Sequence, residues 1–208
     1  MPTVPPSTSR PDYVLVGGVP GAGKSTALAA AAPDLVDVTV LDPEAVRARL
    51  RTQLPALLPY GWYRPVVHLV HLVIHAWFLL RGPQAGRLLV HDPSTRRSRL
   101  RALHRLAVLR GWTPLLVYVD TDPIVARAGQ VARARVVHGR RFEAHCRRWS
   151  QLREDAASGS CHGWSTRMCT RDDAADTLRM ALAGQLRPTG SVLGVSGVTD
   201  GLRSVSVR

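Results

Sequence analysis

Apolar residues fall along this chain in two patterns, short uninterrupted runs and longer stretches with helical spacing. Tyr13 to Val16, Val38 to Leu41, Leu88 to His91 and Leu115 to Thr121 are brief runs of branched and aliphatic side chains, the pattern of strands covered on both faces. Three of the runs lead into an Asp-Pro pair, at Asp42-Pro43, Asp92-Pro93 and Asp122-Pro123. Aspartate accepts hydrogen bonds from the first free N–H groups of a helix and proline fits its first turn, so each pair predicts the end of a strand and the start of a helix. Between the runs, Ala27 to Ala32 is helix-prone. Ser94 to Arg110 places Leu100, Leu103, Leu106 and Val108 or Leu109 on an inner face, with Arg96, Arg97, Arg99, Arg101 and Arg105 outside. Further helices are expected from Ile124 to about Val137, around Phe142, Cys146 (or His145), Trp149 and Leu152, and from Asp172 or Asp173 to about Leu186, with a short last strand from Trp164 to Cys169.

Strands alternating with helices predict an α/β fold: a three-layer α/β/α sandwich on a parallel sheet, with ligands at the carboxyl ends of the strands, where the Asp-Pro corners lie. The expected division is a disordered leader over 1–10, one domain over 11–187 and a disordered tail over 188–208. Residues 51–87 form a helical insertion whose centre, Val66 to Leu80, carries His68, His71 and His75 on roughly one face. No carboxylate or cysteine shares that face, so a partly buried helix flank is expected rather than a metal site. Core packing is likewise the expectation for Trp62 and Tyr63.

Composition narrows the picture modestly. The formal net charge of +13 fits a polyanionic partner, and equally a basic surface produced by arginine-rich coding alone. No run of some 18 uncharged apolar residues and no signal-peptide pattern is present, so a cytoplasmic protein without a membrane segment is expected. Cys146, Cys161 and Cys169 are odd in number and irregular in spacing, as expected of unpaired thiols.

The chemistry begins directly after the first run. Gly18-Val19-Pro20-Gly21-Ala22-Gly23-Lys24-Ser25-Thr26 matches the phosphate-loop pattern between a strand and a helix. Glycines let successive N–H groups converge on one anion, the helix adds its positive end, Lys24 reaches the β- and γ-phosphates, and the Ser25 hydroxyl ligates the magnesium that accompanies ATP. Lys24 is the single lysine among 28 basic residues, retained where a compact ammonium is wanted.

Absences separate the classes that share this loop. Asparagine is missing, so no Asn-Lys-x-Asp motif reads guanine, and Asp92 is followed by Pro93 rather than by the glutamate that activates water in motor-type ATPases. The small-kinase class remains. The order of parts, from the phosphate loop through Leu41-Asp42-Pro43-Glu44-Ala45-Val46-Arg47 and His91-Asp92-Pro93-Ser94-Thr95-Arg96-Arg97 to Arg110-Gly111-Trp112, Val119 to Pro123 and a lid-like segment over 123–140, resembles the 5′-polynucleotide kinase and zeta-toxin-like branch of P-loop kinases. That resemblance covers about residues 12–150 and implies Asp42 as general base, Arg47 and Arg96 as acceptor contacts, Asp92 beside Ser25 and the magnesium, and Arg127, Arg133 and Arg135 as lid cations. It further implies transfer of the ATP γ-phosphate to a hydroxyl of a nucleic-acid end or a nucleotide-like small molecule. The alternative from a different class is an ATP-binding regulatory protein or slow ATPase without an acceptor.

Overall fold

Among the described residues, five of the six strands run parallel. In the computed structural model, which describes residues 11–55, 57–92, 94, 96–132 and 139–186, the apolar runs become β1 (Tyr13–Gly17), β2 (Val38–Leu41), β3 (Arg87–His91), β4 (Pro114–Val119) and β6 (Trp164–Cys169). A two-residue β5 (Ser160–Cys161), which no apolar run announces, pairs antiparallel with β6. The order across the sheet is β2-β3-β1-β4-β6-β5. Parallel neighbours need crossovers, supplied by α1 (Lys24–Ala31), α2 (Pro43–Gln53), α3 (Tyr60–Arg81), α4 (Arg97–Leu109), α5 (Pro123–Val131) and α6 (Gly139–Ala157), with α7 (Ala174–Ala183) closing the layer. The fold is the expected three-layer α/β P-loop sandwich.

The core lies on both faces of β1, β3 and β4, whose central residues are fully buried. The Tyr13 ring packs within 6.0 Å of His75, Trp112 and Trp164, and the indoles of Trp112 and Trp164 donate to the Leu79 and Leu100 carbonyls. Thus α3 and α4 are tied to the sheet by hydrogen bonds as well as by apolar contact. The three cysteines are free thiols, and burial first of all pushes Cys161 and Cys169 up to about 11.

α3 occupies most of the 51–87 stretch. It buries Tyr63, Val67, His71, His75 and Leu79, one residue per turn on the inner face, so two of the three histidines are core residues while His68 is exposed. By length and composition it is also the one helix among the described residues able to cross a membrane, but that inner face is built into the domain. Trp62 departs from expectation: it is 78% exposed, because it lies on the side of α3 turned away from the sheet.

Two of the three Asp-Pro corners behave as predicted. Asp42 caps α2 by accepting from the Glu44 N–H at 2.9 Å, and Asp122 caps α5 by accepting from the Ile124 N–H at 2.7 Å. Asp92 does not start a helix; α4 begins at Arg97, and Asp92 Oδ1 instead accepts from the Ser94 N–H at 2.8 Å in a local turn. Burial of Asp92 under α4 is the reason: its carboxylate draws Arg99 inward, so Arg99 is not one of the outward arginines. The leader, the tail from 187 onward and residues 133–138 lie outside the described residues.

Candidate active site

The phosphate loop leaves β1 at Gly17 and delivers Lys24 as the first residue of α1. Gly23 is left-handed at φ 98°, where a side chain would be strained. Gly21, at φ 93°, lies so close to α5 that a Cβ would overlap the Ala126 carbonyl oxygen. α5 is fastened beneath the loop by Gln130, whose amide donates to the Pro20 carbonyl at 2.9 Å, and Thr121 donates to the Ala22 carbonyl at 3.3 Å. The Lys24 ammonium, nearly buried, donates to the Gly18 and Val19 carbonyls at 2.8 and 2.9 Å. The loop is therefore held in its curled form by its own lysine and by α5.

Sheet register then decides what faces the loop. Leu41 of β2 pairs with Val90 of β3, so the next residues, Asp42 and His91, emerge side by side. His91 also pairs with Val16 of β1, just ahead of the loop. His91 Nδ1 lies 2.9 Å from Asp42 Oδ1 and 3.2 Å from Ser25 Oγ. Burial pushes the Asp42 carboxyl up, but the hydrogen bond and charge of His91, with bonds from the Glu44 N–H and the Ser25 hydroxyl, outweigh it and hold the group below the ordinary carboxylate value. An ionised carboxylate only accepts, so His91 Nδ1 carries the hydrogen between them. Ser25, Asp42 and His91 thus form one connected cluster at the carboxyl ends of β2 and β3.

Asp92, one position after His91 and just past the end of β3, makes a separate set of contacts. Asp92 Oδ2 accepts from Arg99 at 2.6 Å and Oδ1 accepts from the Ser94 hydroxyl at 3.3 Å as well as its N–H. The side chain of Ser25 meets His91 and Asp42, while that of Asp92 meets Arg99 and Ser94. Burial pushes the Asp92 carboxyl up, and the Arg99 charge with these hydrogen bonds more than reverses it.

The expected acceptor contacts are dispersed. Arg47 is held on α2, donating to Glu44 at 3.3 Å and stacking its guanidinium 4.5 Å over the Tyr60 ring. Arg96 is exposed at the start of α4. Arg127, exposed on α5, lies 5.9 Å over the Phe142 ring, and Arg133 and Arg135 fall outside the described residues.

Besides His91 and Arg99, two residues reach the site that no motif marks. Arg171 lies across the loop: a Cβ at Gly23 would come within 3.0 Å of its side chain, and one at Gly129 within 3.4 Å of its guanidinium. His145 of α6 feels the charges of Lys24 and Arg96; burial first, then Arg148 and those two cations, push it down to about 4, so it stands neutral near the loop. α6 itself is anchored to the end of β4, where Asp120 accepts from the Trp149 indole at 3.0 Å and from Arg153 at 2.7 Å. Of the four, only His91, adjoining an Asp-Pro corner, carried a positional signal in the sequence.

The donor set fits the ligands that such a loop takes. A loop curled on glycines that exclude side chains and leading into the N-terminus of α1 suits phosphates, and the Ser25 hydroxyl beside the Asp42 carboxylate offers the hard oxygens that magnesium prefers.

Comparison with known proteins agrees with the geometry. A family model described as AAA domain matches residues 14–157. No curated protein matches the chain. Among solved structures, one from the PezAT chromosomal toxin-antitoxin system of Streptococcus pneumoniae is 17% identical, with a TM-score of 0.53 over 83% of this chain and 77% of that one. The tunicamycin resistance protein of Deinococcus radiodurans is 15% identical, with a TM-score of 0.52 over 84% of this chain and 95% of that one. At such identities the two structures speak to the fold, which is the same. With the family match covering most of the domain and the phosphate loop formed at the expected strand end, the chain belongs to the AAA-domain family and carries the α/β P-loop fold.

Proposed function

We propose that this protein is an ATP- and magnesium-dependent kinase that uses Asp42 to take the proton from an acceptor hydroxyl. The observation that carries the reading is the Asp42 carboxylate, kept ionised by His91 at 2.9 Å and hydrogen-bonded to Ser25 of the phosphate loop. A base must lie next to the phosphate being transferred, and the residue following the loop lysine marks that place. When bound, ATP supplies the phosphoryl group and magnesium screens the charge on its oxygens.

The chain's own residues divide the remaining work. Lys24 holds the β- and γ-phosphates, and Ser25 supplies its hydroxyl oxygen to the metal. His91 fixes the orientation of the Asp42 carboxylate and keeps it anionic. Arg127 and Arg133 supply lid charge, and Arg47 and Arg96 meet the acceptor. Asp92, bonded to Arg99, positions the start of α4 rather than the metal. The acceptor class that best fits the basic surface is a nucleic-acid end or a nucleotide-like small molecule.

Incubation with labelled ATP, magnesium and a panel of hydroxyl acceptors, including 5′-hydroxyl oligonucleotides, should show acceptor-dependent transfer. Asp42→Asn keeps a capping side chain for α2 and should lower turnover by about a hundredfold or more with little change in nucleotide affinity. Tight ATP binding without transfer to any acceptor would support a regulatory protein instead.

A further inference from the structure

α3 is apolar on two opposite sides. Its inner side, centred on His71, is packed into the domain. At 3.6 residues per turn, Trp62, Val66, Leu69, Val73, Ala76 and Leu80 lie along the outer side, over a length of about 27 Å. Trp62, Leu69 and Val73 are 78%, 59% and 59% exposed. Trp77 and Leu72, both exposed, border the same stripe. An amphipathic helix at the surface of a monomer needs only its inner stripe.

We propose that this outer stripe is the two-fold contact between two copies of the chain, with the two α3 helices packed antiparallel. Its six positions alternate steps of four and three residues, the spacing of a helix–helix seam. They are also symmetric about residue 71: Trp62 and Leu80, Val66 and Ala76, and Leu69 and Val73 are each equidistant from it. An axis through that point lays Trp62 on the partner's Leu80, Val66 on the partner's Ala76 and Leu69 on the partner's Val73, the self-complementarity that an isologous contact requires. Antiparallel packing also opposes the helix dipoles and keeps the two Arg81 side chains at opposite ends.

The size agrees. The two tryptophans expose about 300 Å² and the stripe with its borders on the order of 700 Å², near the roughly 800 Å² that each partner contributes to a stable interface. A membrane surface is the weaker fit, because a helix lying in lipid headgroups carries a cationic rim, whereas Arg81 is the one charged residue among the exposed positions of α3.

The test is the mass of the full chain by sedimentation or light scattering in moderate salt at roughly 100 µM, where even weak pairing registers. A dimer of the 22.7 kDa chain is expected, and Val73→Glu or Leu69→Arg should each yield a monomer with unchanged circular dichroism and melting. Mixing the two variants should restore a heterodimer, because antiparallel packing sets position 69 of one copy against position 73 of the other. In parallel packing the two new charges never meet, so failure of the mixture to pair would overturn the proposal. A monomeric parent, a dimer unaffected by either variant, or a monomer that floats with phosphatidylserine vesicles would overturn it too.

Discussion

Lowering the pH from 7 to 5 should weaken the fold through His75, by an amount that follows from its surroundings. The ring is fully buried; its Nε2 lies 2.9 Å from the Tyr13 hydroxyl, its Nδ1 has no hydrogen-bond partner, and His71 stands 6.2 Å away. Burial first, reinforced by the His71 and Arg99 charges and opposed by Asp92, pushes the imidazole from its ordinary 6.5 down to about 3. Between those values the unfolded chain binds a proton that the native protein refuses, so stability rises with pH and falls on acidification. Integrated from pH 7 to pH 5, the loss is about 2 kcal/mol, a large share of the roughly 5–15 kcal/mol that holds a domain together. Asp42 and Asp92 do not contribute in this window, because their depressed carboxyls give up stability only as the pH falls below about 3.8. His68, His71, His104, His145 and His162 shift in the same direction, so the parent alone does not isolate His75. His75→Gln does: its carbonyl oxygen accepts from Tyr13 but takes up no proton. Urea unfolding read by tryptophan fluorescence at both pH values should show the parent's midpoint dropping by about 1 M more than the variant's, for a slope of about 2 kcal/mol per molar. Equal drops in the two proteins would refute the reasoning.

Lys24→Ala should abolish the thermal stabilisation given by Mg-ATP, which at a hundredfold excess over the dissociation constant amounts to about 2.7 kcal/mol; an unchanged melting shift would mean that the loop binds no nucleotide. Arg99→Ala leaves the Asp92 carboxylate buried without its cation and should cost about 3 kcal/mol in denaturant unfolding, while adding Asp92→Asn should return part of that loss; a double variant no better than the single one would show that the pair contributes packing rather than charge.

The sheet and its loop were legible because local signals agreed: brief apolar runs, capping aspartates and a glycine pattern each specified the same strand-to-helix turn. Places where the sequence misled share one cause, contact between residues far apart in the chain. His91 and Asp92 are neighbours at the end of one strand, and their composition alone does not say which turns toward the phosphate loop. The pairing of Leu41 with Val90 and of Val16 with His91 decides it, and pairing across strands leaves no trace in local spacing. Arg99 sits in a run of arginines that reads as a solvated face, yet the buried Asp92 beneath it selects that one for an ion pair. Arg171 approaches Gly23 from just beyond the carboxyl end of β6, with nothing in its surrounding residues to announce it.

Asp42 caps α2, and the geometry of that cap is compatible with the proposed role of the same carboxylate as a general base. A capping aspartate and a general base look like alternatives, since the Asp-Pro corner alone accounts for the residue. Yet the cap uses a single contact, the Glu44 N–H on Oδ1, whereas a carboxylate offers about four lone-pair directions. Capping also fixes the carboxylate's rotamer against the rigid start of α2, and His91 fixes it again from β3. A side chain located twice, from α2 and from β3, meets what the proposed base would need, because misplacement by an ångström is costly to catalysis. Under the proposed function the cap would thus also aim Asp42, and the helix it starts carries Arg47, the expected acceptor contact, one turn further on.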